Sequence, residues 1–424
     1  MRIGVVAGGW WQAACGALGY EAVDLPAATS AGGNPYSADV SARLGLGNEL
    51  GRRLGEERLG RVLDNGGAGL AFVREDGTGA GSVKLAHEHA GALLCSHFID
   101  PLVTAFQGMP WPVVWQCLHS RHWVKAVWDR AQALELARFG IPQVLHLPMA
   151  APDRAYSSEP VDAARCRPVV SFVGGQNTTY FAAQNRVPTQ HLLAGVLAQA
   201  VRGDLPDVSF YDIYHELYQL GEPIRGADDM ETQVRKTLAY YNAKLFFNAG
   251  LCIRNRDRFV IFLQRQLGDA FELIGKHWDT MYGLPTVAPL PTSDAYFDHL
   301  RHSAININLV NGNAETGLNM RHFEITATGG FMLCYDQPEL ADCFEVAKEC
   351  EVFRNERELL EKIRYYLAHP EERAAIAYAG QQRTLRDHLY SRRLATLLKQ
   401  LDAAEPPAAA ATETPSGVPA VARA

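Results

Sequence analysis

The sequence predicts an α/β protein built from two doubly wound, Rossmann-like units. Ile3-Gly-Val-Val6 runs straight into a glycine turn at Ala7-Gly8-Gly9, and Pro168-Val-Val-Ser-Phe-Val173 does the same at Gly174-Gly175. Between and beyond them, short apolar runs alternate with helix-compatible stretches, the pattern of parallel βαβ units. A chain of 424 residues also exceeds one ordinary core, so two domains of roughly 150–220 residues are expected.

The first unit spans about residues 1–155. After its opening strand, Gln12–Leu18 reads as a helix and Tyr20-Glu-Ala-Val-Asp24 as the next strand. Gly69–Val73, Ala92–Cys95, Val113–Trp115 and Val144–Leu147 are the further apolar runs taken as strands. Pro148–Arg167 mixes Pro, Ala, Ser and Asp without periodicity and reads as a linker.

The second unit covers about 166–382. Within it, residues 184–250 show no strand but carry helical patterns at His191–Val201 and Thr237–Phe247, which predicts a helical insertion. A helix at Arg258–Leu267, a strand at Phe271–Gly275 and a short strand at Thr286–Ala288 follow. Pro291-Thr-Ser-Asp294 looks like a cap before another helix. Ile305, Ile307 and Leu309 alternate with Asn306 and Asn308, a period of two that marks a strand. Asn355-Glu-Arg-Glu358 resembles a capping box, with Leu359, Ile363, Tyr366 and Leu367 continuing at helical spacing. Arg383–Leu401 reads as a final helix, and the Ala/Pro/Thr composition of residues 402–424 as a disordered tail.

Bulk chemistry narrows the function classes. A net charge of −7 argues against a nucleic-acid or anionic-membrane surface. No run of about 18 uncharged apolar residues exists to span a membrane, and a structural strand from Met1 leaves no place for a cleaved signal peptide. The eight cysteines form no C-x-x-C pair, and several sit in apolar runs. A reduced, cytoplasmic protein is expected rather than a disulfide framework. Cys343 and Cys350 are the one pair near a surface-like stretch, but structural zinc takes four ligands, so no metal site is expected.

The chemistry concentrates in Thr316-Gly-Leu-Asn-Met-Arg-His-Phe-Glu324 and the apolar run Phe331-Met-Leu-Cys334. Arg321 and Glu324 stand three residues apart at an expected helix start, which presents free N–H groups and a positive dipole end. Such a start suits phosphate, and a glutamate beside it suits ribose hydroxyls. Arg321 brings planar donors for a diphosphate. Gly174 and Gly175 allow backbone to approach phosphate; Asn311 and Asn313 suit sugar hydroxyls; Arg256 and Arg258 open a helix toward the expected cleft. In the first unit, His97, oriented by Asp100, ends the Ala92–Cys95 strand, where open α/β sheets place ligand-facing groups. It is the candidate base for an acceptor hydroxyl, with His119 and His122 as rivals. Gly8, Gly9, Trp10 and Trp11 mark the acceptor side, the indoles offering rings to stack on a sugar.

These residues carry a resemblance. Gly275-x-x-Trp278, the Ile305–Val310 strand, Arg321-x-x-Glu324-x-x-Ala327-x-Gly329 and Leu359-x-x-Lys-Ile-Arg-Tyr-Tyr-Leu-Ala-His-Pro-Glu-Glu372 resemble GT-B glycosyltransferases, specifically the glycosyltransferase-like family related to spore-coat maturation proteins. Met1–Gly9 and Gly140–Pro148 are similar to that family's N-terminal domain. The resemblance implies two Rossmann-like domains across a cleft, a nucleoside diphosphate sugar such as a UDP-sugar on the second, and the acceptor on the first. It implies a final helix, here 383–401, returning to the first domain, and transfer without a metal or other cofactor. Many retaining relatives carry two glutamates separated by seven residues; here Thr316, beside Glu315, stands where the first would be. The first carboxylate is therefore absent, displaced by one residue, or replaced by backbone donors at Thr316-Gly317.

The expected function is thus a cytoplasmic glycosyltransferase acting on a glycan, protein or small-molecule acceptor, with self-association left open. A nucleotide-sugar epimerase and a non-catalytic nucleotide-sugar-binding protein are the alternatives on the same fold. A dinucleotide oxidoreductase fits less well, because Gly8-Gly9…Gly16 does not follow the G-x-G-x-x-G spacing.

Overall fold

A computed structural model describes residues 1–29, 38–74, 83–100, 109–176, 209–217, 224–225 and 227–403. Its strands are β1 (Arg2–Val6), β2 (Glu21–Leu25), β3 (Arg61–Asn65), β4 (Phe72–Arg74), β5 (Val83–Leu85), β6 (Leu93–Phe98), β7 (Trp123–Val127), β8 (Val144–His146), β9 (Arg167–Val173), β10 (Phe271–Ile274), β11 (Ser303–Asn308), β12 (Met332–Tyr335) and β13 (Glu351–Phe353). The longer helices are α1 (Gly9–Ala17), α2 (Val40–Glu56), α3 (Trp111–Leu118), α4 (Arg130–Arg138), α5 (Met230–Cys252), α6 (Arg258–Leu267), α7 (Ser293–His302), α8 (Met320–Ala327), α9 (Glu356–Ala368), α10 (Pro370–Asp387) and α11 (Tyr390–Ala403).

Two parallel sheets result, in the orders β2-β1-β3-β6-β7-β8 and β10-β9-β11-β12-β13. Helices cover both faces, so central strands are buried along their whole length, as in β7 and β11. That changes the reading of β11. Its Asn306 and Asn308 do not face water: the Asn306 amide donates to the Leu300 and Phe331 carbonyls, and Asn308 to Asn319.

Some expected elements differ. Val113–Trp115 lies in helix α3, with Pro112 in its first turn. The strand expected at Gly69–Val73 is preceded by a true sheet strand, β3; Phe72–Arg74 pairs only with β5 in a separate antiparallel ribbon. Val287 makes a single bridge to Ile274 rather than a strand. The final helix is two helices, α10 and α11, divided where the His388 carbonyl accepts from Ala151 N–H and Tyr390 N–H donates to the Ala151 carbonyl.

Helix α11 lies on the first sheet's helix α1, burying Tyr390, Leu394 and Leu397 with Ile3, Val5 and Trp11. Of the expected helical stretch 184–250, residues 184–208, 218–223 and 226 lie outside the described residues. Phe210–Leu217 and α5 pack their aromatics against the first unit, Tyr240 and Phe210 joining the cluster that holds Trp115, Leu136 and Phe139. Ion pairing continues this contact: Lys244 of α5 lies between Glu135 of α4 and Glu315 of the loop after β11.

Candidate active site

The segments that follow β6, β7, β8, β9, β10 and β11 meet at one cleft, the place where α/β sheets put ligands. Two chambers open there. The larger, about 870 Å³, lies at the ends of β9 and β10 and is lined by Gly174, Gly175, Gln176, Lys276, His277, Pro289 to Ser293, Tyr296, Asn311 and Arg321. The smaller, about 230 Å³, lies between the units. Trp10, Asp100, Trp128 and Met149 come from the first unit; Asn311, Asn313, Asn319, Arg321 and Glu324 come from the second.

Arg321 belongs to both chambers because α8 starts between them. The start of α8 is bare: Asn319 makes no side-chain cap. Its amide oxygen instead accepts from Asn308 Nδ2 at 3.2 Å and meets His322 Nδ1, while its nitrogen donates to the Leu309 carbonyl. Turning the Asn319 amide toward β11 leaves the first N–H groups of α8 to the cleft, a ready anion site. One turn on, Glu324 is buried and its Oε2 accepts from the Tyr296 hydroxyl at 2.6 Å. Arg321 Nε donates to the same hydroxyl at 3.2 Å. Burial pushes the Glu324 carboxyl above its ordinary range, while the Arg321 charge and the Tyr296 hydrogen bond oppose that rise.

Gly174 and Gly175 line the larger chamber. Close packing demands glycine at the neighbouring Gly275, whose φ is +156° and where a Cβ would stand 2.3 Å from the Gly174 oxygen. Asn311 lines both chambers. Asn313 lines the smaller one and donates to Asp100 Oδ1 at 3.4 Å, across the two units.

Other sequence candidates sit elsewhere. Arg258 pairs with Glu356 and lies over Phe259, away from both chambers. Arg256 is the arginine that turns inward, because residues two apart point to opposite sides of a helix. Thr316 and Gly317 are not open to a donor: their N–H groups donate to Asp129 Oδ2, both at 3.0 Å, as does Glu315 N–H at 2.7 Å. Glu315 itself turns away to Lys244 and Phe210 N–H. His97 is buried among Trp11 and Tyr390, its Nε2 3.0 Å from the Leu147 carbonyl, and lines neither chamber. Burial lowers it to about 4. Asp100, in contrast, is on the chamber wall, and desolvation raises its carboxyl, opposed by Asn313. Trp11 is core and bonds Asn65, whereas Trp10 reaches the smaller chamber with one face stacked on Tyr390. Gly8 and Gly9 start α1 beneath them.

Sequence reasoning missed Tyr296, which holds Arg321 and Glu324 together, and the pair Lys276-His277, although the flagged Gly275-x-x-Trp278 brackets that pair. It also missed Asp129. This buried carboxylate caps α4 through Ala131 and Gln132 while holding the 315–317 backbone of the other unit.

Residues 254–399 match the family described as glycosyl transferase-like. No curated protein matches the chain. Among solved structures, sucrose-phosphate synthase from Thermosynechococcus elongatus superposes with a TM-score of 0.50 at 11% identity, covering 95% of this chain and 100% of that one. Anabaena HepE in complex with UDP and glucose gives 0.45 at 10% identity, with coverage of 95% and 100%. The UDP-forming α,α-trehalose-phosphate synthase from Burkholderia vietnamiensis gives 0.43 at 10%, with the same coverage. The chain is therefore a two-sheet protein of the GT-B fold whose residues 254–399 match the glycosyl transferase-like family.

Proposed function

We propose that the protein transfers a sugar from a nucleoside diphosphate sugar to a hydroxyl-bearing acceptor. The uncapped start of α8 carries this reading, since it sets Arg321 at the junction of the two chambers with Glu324 one turn on. The nucleoside occupies the larger chamber with its ribose at the junction beside Arg321, where the Glu324 oxygen not engaged by Tyr296, on the wall of the smaller chamber, accepts from a ribose hydroxyl. Arg321 and the first N–H groups of α8 meet the diphosphate. These donors are fixed before the reaction and face the charge that grows on the leaving oxygen.

The acceptor lies in the smaller chamber against the exposed side of Trp10. Its hydroxyl oxygen bonds to the anomeric carbon as the bond from that carbon to the diphosphate oxygen breaks, the electron pair leaving with the diphosphate. Asp100, which takes the role that the sequence suggested for His97, receives the hydroxyl proton; its raised pKa brings it closer to that task. Arginine and helix dipole neutralise the leaving group here, so the reading calls for no metal ion. Eight free thiols fit a reducing cytoplasm, and no helix among the described residues is long and apolar enough to cross a membrane.

Isothermal titration with UDP, GDP and ADP tests the donor site. Binding of at least one is expected, with about a tenfold or greater loss in Arg321→Ala and Glu324→Ala, since each removes a hydrogen bond to a charged or buried group worth about 1.5–3 kcal/mol. No binding, or undiminished binding in both variants, ends this assignment. Product analysis with donor alone then separates a transferase from an epimerase, which needs no acceptor.

A further inference from the structure

The turn at Gly174-Gly175 is held from outside the chamber by two side chains that do not line it. Trp278 is fully buried, and its Nε1–H donates to the Gly174 carbonyl at 2.7 Å. Arg256, 6% exposed, donates from Nη2 to the Gly175 carbonyl, its guanidinium lying over the Phe172 and Trp278 rings at 5.6 and 5.4 Å. Its Nε is buried without a hydrogen-bond partner.

The neighbouring N–H groups are also committed. Gly174 N–H donates to the Ile274 carbonyl and Gln176 N–H to the Lys276 carbonyl, both at 2.8 Å and both toward β10. The trans peptide between the two glycines sets the Gly175 N–H opposite the Gly174 carbonyl, which is turned to Trp278 outside the chamber. Gly175 therefore points its N–H away from Trp278. Its N–H has no acceptor among the described residues, and it lines the same chamber as Asn311 and Arg321. Arg321 Nη1 comes within 3.5 Å of where a Gly174 Cβ would be, so one ligand group can reach both donors.

We propose that Trp278 and Arg256 are positioning residues that hold the Gly174-Gly175 turn so that the Gly175 N–H points at the diphosphate of the donor. This rests on the nucleotide-sugar reading. Each side chain fixes one carbonyl of the turn, and with both fixed the peptide between Gly174 and Gly175 cannot rotate its N–H out of the chamber. Arg256 adds positive charge behind the turn without touching the ligand.

The test compares each nucleoside diphosphate with its parent nucleoside, for example UDP with uridine, by titration into the full-length wild type, Trp278→Phe and Arg256→Lys. Phenylalanine keeps most of the packing and loses the indole donor; lysine keeps the charge and loses the planar fork. Diphosphate affinity is expected to fall about five- to tenfold in each variant while nucleoside affinity stays within about twofold, the size of one hydrogen bond lost beyond the base. Equal losses for nucleoside and diphosphate mean a merely structural role and overturn the proposal, as does unchanged diphosphate affinity in both variants. Should one variant fail to fold, the other decides. If the wild type binds nucleosides but gains nothing from the diphosphate, the positioning role fails while the chamber stands; if it binds neither, the donor reading itself falls and takes this inference with it.

Discussion

Asp129→Ala should loosen the joint between the two units without touching either chamber's wall. Oδ1 accepts from Ala131 and Gln132 N–H at 2.9 and 3.3 Å and from Thr316 Oγ1 at 3.0 Å. Oδ2 accepts from the N–H groups of Glu315, Thr316 and Gly317. Losing the cap of α4 costs about 1 kcal/mol. Three backbone donors left without an acceptor in the interior cost at least about 1 kcal/mol each. The sum is roughly 4 kcal/mol, partly offset because Asp129 is itself strained electrostatically. Burial, then the charges of Glu339 and Glu315, raise its carboxyl. Over a domain pair of this length, about 2.1 cal/mol/K per residue converts 4 kcal/mol to a fall of ~5 °C in melting temperature. Differential scanning calorimetry measures it. Asp129→Asn retains a capping oxygen but turns an amide donor toward N–H groups, and should fall between wild type and alanine. A melting temperature for Asp129→Ala within about 1 °C of wild type would refute the view that this carboxylate joins the units.

Lys244→Met removes the cation between the buried Glu135 and Glu315, leaving the first to the Tyr240 and Tyr241 hydroxyls and the second to the Phe210 N–H among its contacts; a loss of about 3–5 kcal/mol is expected in denaturant unfolding, and a neutral result would show that those carboxylates are protonated in the native protein. Gly275→Ala places a methyl 2.3 Å from the Gly174 oxygen, so nucleotide binding should be lost by titration, and an unchanged affinity would remove the turn from the site. His97 and His322 are both lowered by burial from 6.5 to about 4. The unfolded chain therefore binds protons that the folded protein refuses between those values. Stability should be level above pH 6.5 and fall as pH drops from 6.5 to 4, each histidine contributing up to roughly 3 kcal/mol by the lower limit; melting temperatures that do not fall between pH 7 and 5 would contradict this. Trp10→Ala should raise the acceptor KM with donor affinity unchanged, read from transfer kinetics once an acceptor is in hand, and a purely donor-side defect would move Trp10 out of the acceptor chamber.

Which elements could be read from sequence follows from where their stabilising contacts lie. β1, β6, β9 and β11 are apolar runs bounded by turn residues, and they were recognisable as such. β3 was not, because Asp64 and Asn65 end its apolar run; Asp64 accepts from the Gly67 and Gly69 N–H groups, a turn contact that forms only in the fold. β7 hides behind Lys125, whose ammonium is buried on the Leu118, Ser120 and Trp123 carbonyls. The error at α3 is different in kind. Trp111, Val114, Trp115 and Leu118 are buried at helical spacing, but a window of three residues, Val113–Trp115, shows only apolarity and no period. The placement of Arg321 and Glu324 on a helix start was readable since that start is local. Tyr296, which bonds both, is distant in sequence and carries no mark of its role.

Thr316 shows how a departure from a family's pattern is absorbed. A carboxylate at 316 would have to share space with Asp129 and Glu339, since Thr316 Oγ1 lies 3.0 Å from the former and 2.6 Å from the latter. Two acids already converge there, and Asp129 is already raised by burial and then by the charges of Glu339 and Glu315. A third ionised group in so little water would be forced to keep its proton or to expel the others. Threonine instead supplies one hydroxyl that donates within this acidic cluster. Position 316 thus joins the units, and Asp129, from the first unit, occupies the backbone donors at 315–317. On the proposed reading, the groups that hold the transferred sugar come from elsewhere on the smaller chamber's wall, where Asp100, Asn311 and Asn313 are among the polar groups outside that joint. Thr316→Glu tests this step: it should lower stability more than Thr316→Val, which only removes a hydroxyl, and should not raise the transfer rate. An active and stable Thr316→Glu protein would mean that the joint is not acidic in the way described and that the chamber still has room for the missing carboxylate.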